Sequence, residues 1–239
     1  MRNLLIAKSS LPFLMAAAAL AGEAIAISTS SNGGRASASA TAVGNADALA
    51  VAGATRGGRA EANSSAYGRY NGYANSRAVA MAERGVALSD SLADARGLLG
   101  GTAIADSESL AAAIGGLAIS NSAAVADGTF FGHARSRAAS TSLAHYGVSV
   151  SDSAARSRGI FGGHASSDSD ATALAVGGVS TSRTRAISDA RLHARAEANG
   201  AGVSFSGLGA HSDSRVHAES RSVRFGSSRS DAVMIRVRP

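Results

Sequence analysis

Very small residues alternate with variable ones along most of this chain. From Ala36 to Ala52 every even-numbered residue but one is alanine, while the odd positions change among serine, threonine, asparagine, aspartate, leucine and valine. The same alternation, with serine sharing the small positions, returns over residues 87–95, 103–111 and 165–175. A period of two is that of a β-strand with two different faces. No helical stripe competes with it, so the pattern predicts an all-β chain.

Glycine recurs at a regular step and divides the alternating runs. A step of 31 residues connects Gly85, Gly116, Gly147, Gly178 and Gly209. Glycine pairs close the runs at 100–101, 115–116, 162–163 and 177–178, and successive turns are 15 or 16 residues apart, which predicts two strands of about 9 to 12 residues and two turns in each copy. Four regular copies fill residues 85–208. Residues 27–84 and 209–239 follow the pattern loosely, as terminal repeats do.

Two folded architectures accommodate two strands per copy. In a β-solenoid of ~31-residue coils, residues one copy apart are neighbours about 4.8 Å apart, whereas in an antiparallel β-meander another strand separates them. The charges favour the solenoid, because opposite charges in adjacent strands attract. They alternate along Arg96, Asp127, Arg158 and Asp189, and again along Asp106, Arg137, Asp168 and Asn199. A largely disordered chain remains a third reading, since the composition is rich in glycine, serine and alanine.

The solenoid reading predicts a thin slab. If the alanine and serine sides of the two strands face each other, two sheets approach more closely than sheets with larger residues do. Bulky residues then belong at or beside the turns. One such line is formed by Leu99, Phe130, Phe161 and Leu192, and another by Val86, Leu117, Val148 and Val179.

Composition suggests an exported chain. The 239 residues include 28 Gly and no Cys, which excludes a disulfide framework. Residues 1–26 combine a basic start with an apolar run of about a dozen residues and Ala24-Ile25-Ala26, and this predicts a signal peptide. No later run has the roughly 20 apolar residues of a transmembrane helix. We therefore expect a secreted, periplasmic or cell-surface protein of a Gram-negative bacterium.

Candidate chemistry recurs with the repeat instead of forming one site. Ser-Asp-Ser occurs at 89–91, 151–153 and 212–214, which predicts ladders of hydroxyls and carboxylates along the stack in place of a single activated nucleophile. His133 and His164 stack in a solenoid, but two imidazoles are too few for a zinc centre. No catalytic residue, cofactor or metal site is expected.

The formal net charge of +6 points to polyanionic partners. Arg-x-Arg pairs place two guanidinium groups on one face of a strand, where they suit sulfate, phosphate or uronate groups. The candidate contacts are Arg135, Arg137, Arg156, Arg158, Arg183 and Arg185. With few aromatic residues there is no stacking platform for single-stranded nucleic acid, and no specific nucleic acid is expected.

Residues 42–50 and 65–68 resemble the short Ala- and Gly-punctuated repeats in the heads of trimeric autotransporter adhesins. The resemblance implies a β-roll that binds host or matrix surfaces. The chain has no heptads of the kind that form the coiled-coil stalks of that family. An adhesive function for this chain is therefore only an analogy with that family.

Together these patterns predict an exported, non-enzymatic structural or adhesive repeat protein of the bacterial surface or extracellular matrix. Self-association is expected, because the end of a solenoid is a sheet edge. The alternative is a module that binds a polyanionic polysaccharide or another ordered surface. Ice is the weaker choice among such surfaces, since Thr181 and Thr184 do not form a Thr-x-Thr ladder.

Overall fold

The computed structural model describes residues 2–9, 13–19, 22–31, 33–69, 72–97, 102–129, 133–160, 164–191, 195–206, 211–223 and 227–237. Seventeen strands in these ranges alternate between two sheets. Sheet I contains β1 (Arg2–Ser9), β3 (Gly22–Ser30), β5 (Ala46–Ala54), β7 (Tyr73–Glu83), β9 (Thr102–Ile114), β11 (His133–His145), β13 (His164–Val176), β15 (Arg195–Ser206) and β17 (Ser227–Val237). Sheet II contains β2 (Phe13–Ala19), β4 (Arg35–Val43), β6 (Arg59–Gly68), β8 (Val86–Gly97), β10 (Leu117–Gly128), β12 (Val148–Ile160), β14 (Val179–Arg191) and β16 (His211–Val223).

Every pairing within the two sheets is parallel and joins strands two apart in the chain. Leu117 of β10 lies between Val86 and Val148, each one copy away. This topology is a β-solenoid with two strands per coil, so the predicted fold class is confirmed and the meander is excluded. Strands β8 to β16 have 12 or 13 residues, longer than the nine residues of β4 and β5.

The coils lengthen from the N-terminal end of the stack. Arg2 pairs with Glu23, a separation of 21 residues, and Gly22 pairs with Ala46, a separation of 24. The separation is 31 where Val86 pairs with Leu117, and 32 where Val179 pairs with His211. The predicted signal segment, residues 1–26, covers β1, β2 and part of β3.

The interior between the sheets consists mainly of alanine and serine side chains. The inward positions of the alternation are buried, for example Ala118, Ser120, Ala124 and Ala126 on β10. Alanine buries little apolar area, and the hydrophobic effect scales with that area. In addition to these apolar contacts, hydrogen bonds from buried serine hydroxyls join the two sheets.

A serine staircase, formed by Ser64, Ser76, Ser91, Ser107 and Ser122, crosses from one sheet to the other at each step. Each hydroxyl after Ser64 donates to the backbone carbonyl of the preceding serine, over 2.6 to 2.8 Å, and Ser64 itself donates to the carbonyl of Ala48. Contact at this range requires the sheets to lie close together. The expected ladders along the stack are present in part: Ser182 donates to Ser214 over 2.9 Å one coil away, whereas the hydroxyls of the staircase reach the opposite sheet.

The buried serine hydroxyls differ in whether they have a hydrogen-bond partner, and this difference tests whether the staircase stabilises the fold. Ser107 donates to the carbonyl of Ser91, whereas the buried hydroxyl of Ser136 has no partner among the described residues. We expect Ser107→Ala to lower the free energy of unfolding by about 1 kcal/mol, and Ser136→Ala to leave it unchanged or raise it. Urea unfolding of both variants measures the difference. Equal losses at the two positions would contradict the role given to the staircase.

One edge of the slab, the glycine-turn edge, is formed by the connections 84–85, 115–116, 146–147 and 177–178. Large apolar side chains are exposed on both sides of it, including Ile114 at 57% and Tyr146 at 68%. Met81, Leu143, Val148, Val176 and Val179 are also exposed there. On the far edge of sheet II, by contrast, the outward positions of β8, β10, β12 and β14 carry the Arg96 to Asp189 line.

Candidate groove on sheet II

A groove of about 1240 Å³ crosses the outer face of sheet II. Residues of six successive strands, from β6 to β16, line it. Its floor includes Leu92, Ala123 and Ala154, which are directly paired on β8, β10 and β12. Because the two alanines are short, this line lies lower than the longer side chains beside it. The groove therefore follows the stacking direction, one rung per coil.

One half of the groove carries amides and carboxylates. Asn63, Asp90, Asn121 and Asp152 are paired rung by rung. The amide nitrogen Nδ2 of Asn121 donates to Oδ1 of Asp90 over 2.7 Å. Oδ1 of Asp152 is buried and has no hydrogen-bond partner among the described residues. Burial raises the pKa of the Asp152 carboxyl, and the positive charge of Arg183 partly opposes this shift.

The other half of the groove is cationic. Arg183 lies directly opposite Arg215 on the neighbouring strand, and Arg185 lies directly opposite His217. Two arginines in this relation repel each other, as does an arginine facing a protonated histidine. Arg215 has a carboxylate within reach, Oδ2 of Asp213 at 3.4 Å. In the described part of the chain, Arg183 and Arg185 have no carboxylate oxygen within 4.0 Å.

No protein-family model and no curated protein matches this chain. The resemblance of residues 42–50 and 65–68 to adhesin heads stays a prediction. Residues 42–50 span the end of β4, its connection and the first half of β5, and residues 65–68 end β6. All regular elements in the described ranges are strands, and these ranges contain no helix with the length and hydropathy to cross a membrane.

The structure pairs the predicted charge ladder in register. Arg96 lies opposite Asp127, which lies opposite Arg158, which lies opposite Asp189. The closest ion pairs differ from this order: Arg96 reaches Asp94 on its own strand at 3.5 Å, and Asp189 is 3.8 Å from Arg156. The line on sheet I is also in register, and Asn199 donates to Asp168 over 2.9 Å. Leu99, Phe130, Phe161 and Leu192 lie outside the described residues.

The six arginines proposed to contact polyanions do not form one surface. Arg135 and Arg137 project from sheet I, and the others belong to sheet II. Only Arg183 and Arg185 line the groove. Sequence reasoning missed Arg215 and His217, which follow them by 32 residues, so a strict step of 31 passes them by.

The predicted histidine ladder exists as a stacked pair. The imidazole rings of His133 and His164 have centroids 5.1 Å apart and planes within 2° of parallel. Within the described ranges, no group of three or more His, Cys, Asp or Glu residues is arranged to hold a metal ion. The arrangement of the groove instead suits an elongated ligand that carries both hydroxyl donors and negative charge.

Proposed function

We propose that this chain is an exported, non-enzymatic structural or adhesive protein of the bacterial surface or extracellular matrix, and that it associates with further copies of itself. The glycine-turn edge is the observation that carries the proposal. Seven large apolar side chains are exposed along it, while the interior holds alanine and serine. Among the described residues, small side chains fill the interior while these seven large apolar ones are exposed, and such a surface is suited to a partner.

A second copy matches this edge in spacing. Each rung from β7 to β13 presents one such side chain, about 4.8 Å from the next rung, so two edges of the same kind interdigitate. At the last position of the sheet I strands, Ile114 and Val176 alternate with Glu83 and His145. Four rungs at about 4.8 Å and about 20 Å around the turn give an edge surface of roughly 400 Å², which the apolar side chains share with Glu83, Arg84 and His145. That area supports weak lateral association, which becomes extensive when many contacts act together.

Charges placed on the edge are expected to abolish this association. In the double variant Ile114→Lys and Val176→Lys, both positions are about half exposed or more, so the fold is retained while the apolar patch is interrupted. The matched control is Thr102→Lys with Ser166→Lys, which adds the same charge near the other ends of the same two strands. Sedimentation of the purified chain across a concentration series measures association. The proposal predicts that only the edge variant loses association. If neither the parent chain nor the control variant associates, the proposal is overturned.

Binding of a polyanionic polysaccharide is the second candidate function. It is favoured by the cationic half of the groove, where four basic side chains occupy two adjacent strands. An adhesive role and polysaccharide binding are compatible, because the groove and the glycine-turn edge are separate surfaces of the slab.

A further inference from the structure

We propose that the groove on sheet II binds a linear acidic polysaccharide of the polyuronate type, with its chain axis along the stack. The anionic groups contact Arg183 and Arg185, and sugar hydroxyls contact Asp152 and Asn121. This inference rests on the second candidate function above and adds the site, the orientation and the chemistry of the ligand.

The cationic half of the groove indicates that the ligand carries negative charge. Several other arginines of sheet II have a carboxylate within 4.0 Å, as Arg156 has Asp189 at 3.8 Å and Arg96 has Asp94 at 3.5 Å. In the groove, Arg183 faces Arg215 on one side, although Asp152 faces it on the other. An anion placed between the two strands relieves the repulsion and accepts charge-assisted hydrogen bonds from the exposed guanidinium groups.

The half of the groove with amides and carboxylates indicates that the ligand also carries hydroxyl groups. Asp152 lines the groove, and an ionised carboxylate only accepts hydrogen bonds; because its Oδ1 is buried, without a donor among the described residues, a ligand would reach the carboxylate through Oδ2. A ligand made only of anionic acceptors is repelled there. A sugar supplies hydroxyl donors to Asp152, and its hydroxyl oxygens accept from the amide of Asn121. A ligand with both donors and anions thus fits the whole groove.

The dimensions suit a polymer. Six rungs at about 4.8 Å give five intervals and a length of roughly 24 Å, open to solvent along the outer face. The floor of Leu92, Ala123 and Ala154 is apolar, as required for contact with the C–H face of sugar rings. An extended chain lying along it presents its substituents to both halves of the groove.

Two double variants with equal charge loss test the site, with polygalacturonate as the probe. Arg183→Gln with Arg185→Gln removes two groove arginines, and Arg135→Gln with Arg137→Gln removes two exposed arginines from sheet I. We expect the groove variant to bind polygalacturonate at least about tenfold more weakly in titration calorimetry, and the sheet I variant to change less than about twofold. Equal losses, or no binding by the parent chain, would overturn the proposal.

The variant Asp152→Ala separates hydroxyl recognition from charge attraction. Polyacrylate carries carboxylates without hydroxyls and serves as the comparison polymer. If Asp152 accepts sugar hydroxyls, the variant binds polygalacturonate more weakly and polyacrylate more tightly than the parent. A rise in affinity for both polymers would show that only charge attraction acts there, and would contradict the assignment.

Measuring self-association of the groove variants distinguishes failure of the groove proposal from failure of the first proposal. The groove variants are expected to sediment as the parent does, because none of them alters the glycine-turn edge. Unchanged association with no polysaccharide binding would overturn the groove proposal alone. Binding without association would overturn the first proposal alone.

Discussion

Replacing Gly147 with alanine is expected to lower the free energy of unfolding by about 3 kcal/mol or more. A Cβ atom at this position would overlap the backbone carbonyl oxygen of Gly116 in the neighbouring coil. That oxygen accepts a hydrogen bond of 3.0 Å from the nitrogen of Val148, so it cannot move without breaking the turn. The backbone of Gly147 lies outside the left-handed region, and the requirement for glycine is therefore one of space.

Gly53 offers the matched control within a strand. An added Cβ there meets only a methyl carbon of Thr29 at 3.8 Å, an ordinary contact. We expect Gly53→Ala to be neutral or to raise stability by about 0.5 kcal/mol, because alanine restricts the unfolded chain. Thermal unfolding of both variants followed by circular dichroism makes the comparison. A Gly147→Ala variant as stable as the control would refute the close approach of the turns.

Replacing Ala124 with leucine is expected to be about as damaging. Ala124 is fully buried between the two sheets, in an interior filled by alanine and serine. Three added carbon atoms have no space there unless the sheets separate, and separation breaks the hydrogen bonds between them. Overpacking of ordinary cores costs about 1 to 3 kcal/mol, and we expect the upper end of that range or more.

The adjacent residue on the same strand provides the control for this substitution. Ala123 points out of the slab onto the floor of the groove, between Leu92 and Ala154. Ala123→Leu is expected to change the free energy of unfolding by less than about 0.5 kcal/mol, since the new side chain extends into solvent. Urea unfolding of the pair gives the difference, and similar losses in both variants would show that the interior is not tightly packed.

The same glycines show how the sequence and the structure complement each other. The step from Gly85 to Gly178 was readable as a repeat, and it placed one turn in every coil. Its cause was not readable, because it is a contact between coils: in each turn the glycine lies against the carbonyl oxygen of the glycine before it. Gly209, which continues the count, lies outside the described residues.

The groove was less accessible to sequence reasoning. The line of Asp90, Asn121, Asp152 and Arg183 was visible as a repeat position, but its charges alternate less regularly than those of the Arg96 line. The irregularity reflects the division of the groove into a polar half and a cationic half. The cationic half was incomplete without Arg215, which a longer final coil brings into register.

The sequence alone determined the strand alternation and the repeat step, and it favoured a coil as the unit of the fold; the parallel pairing of the strands decided between coil and hairpin. These properties are local or periodic, and a period of two with glycine at fixed intervals allows few arrangements. Only the tertiary structure decided which hydroxyls join the sheets, where the apolar edge lies and which side chains line the groove. Those features depend on distances between residues of different coils and different sheets, and a change of one residue in coil length is enough to alter which side chains meet.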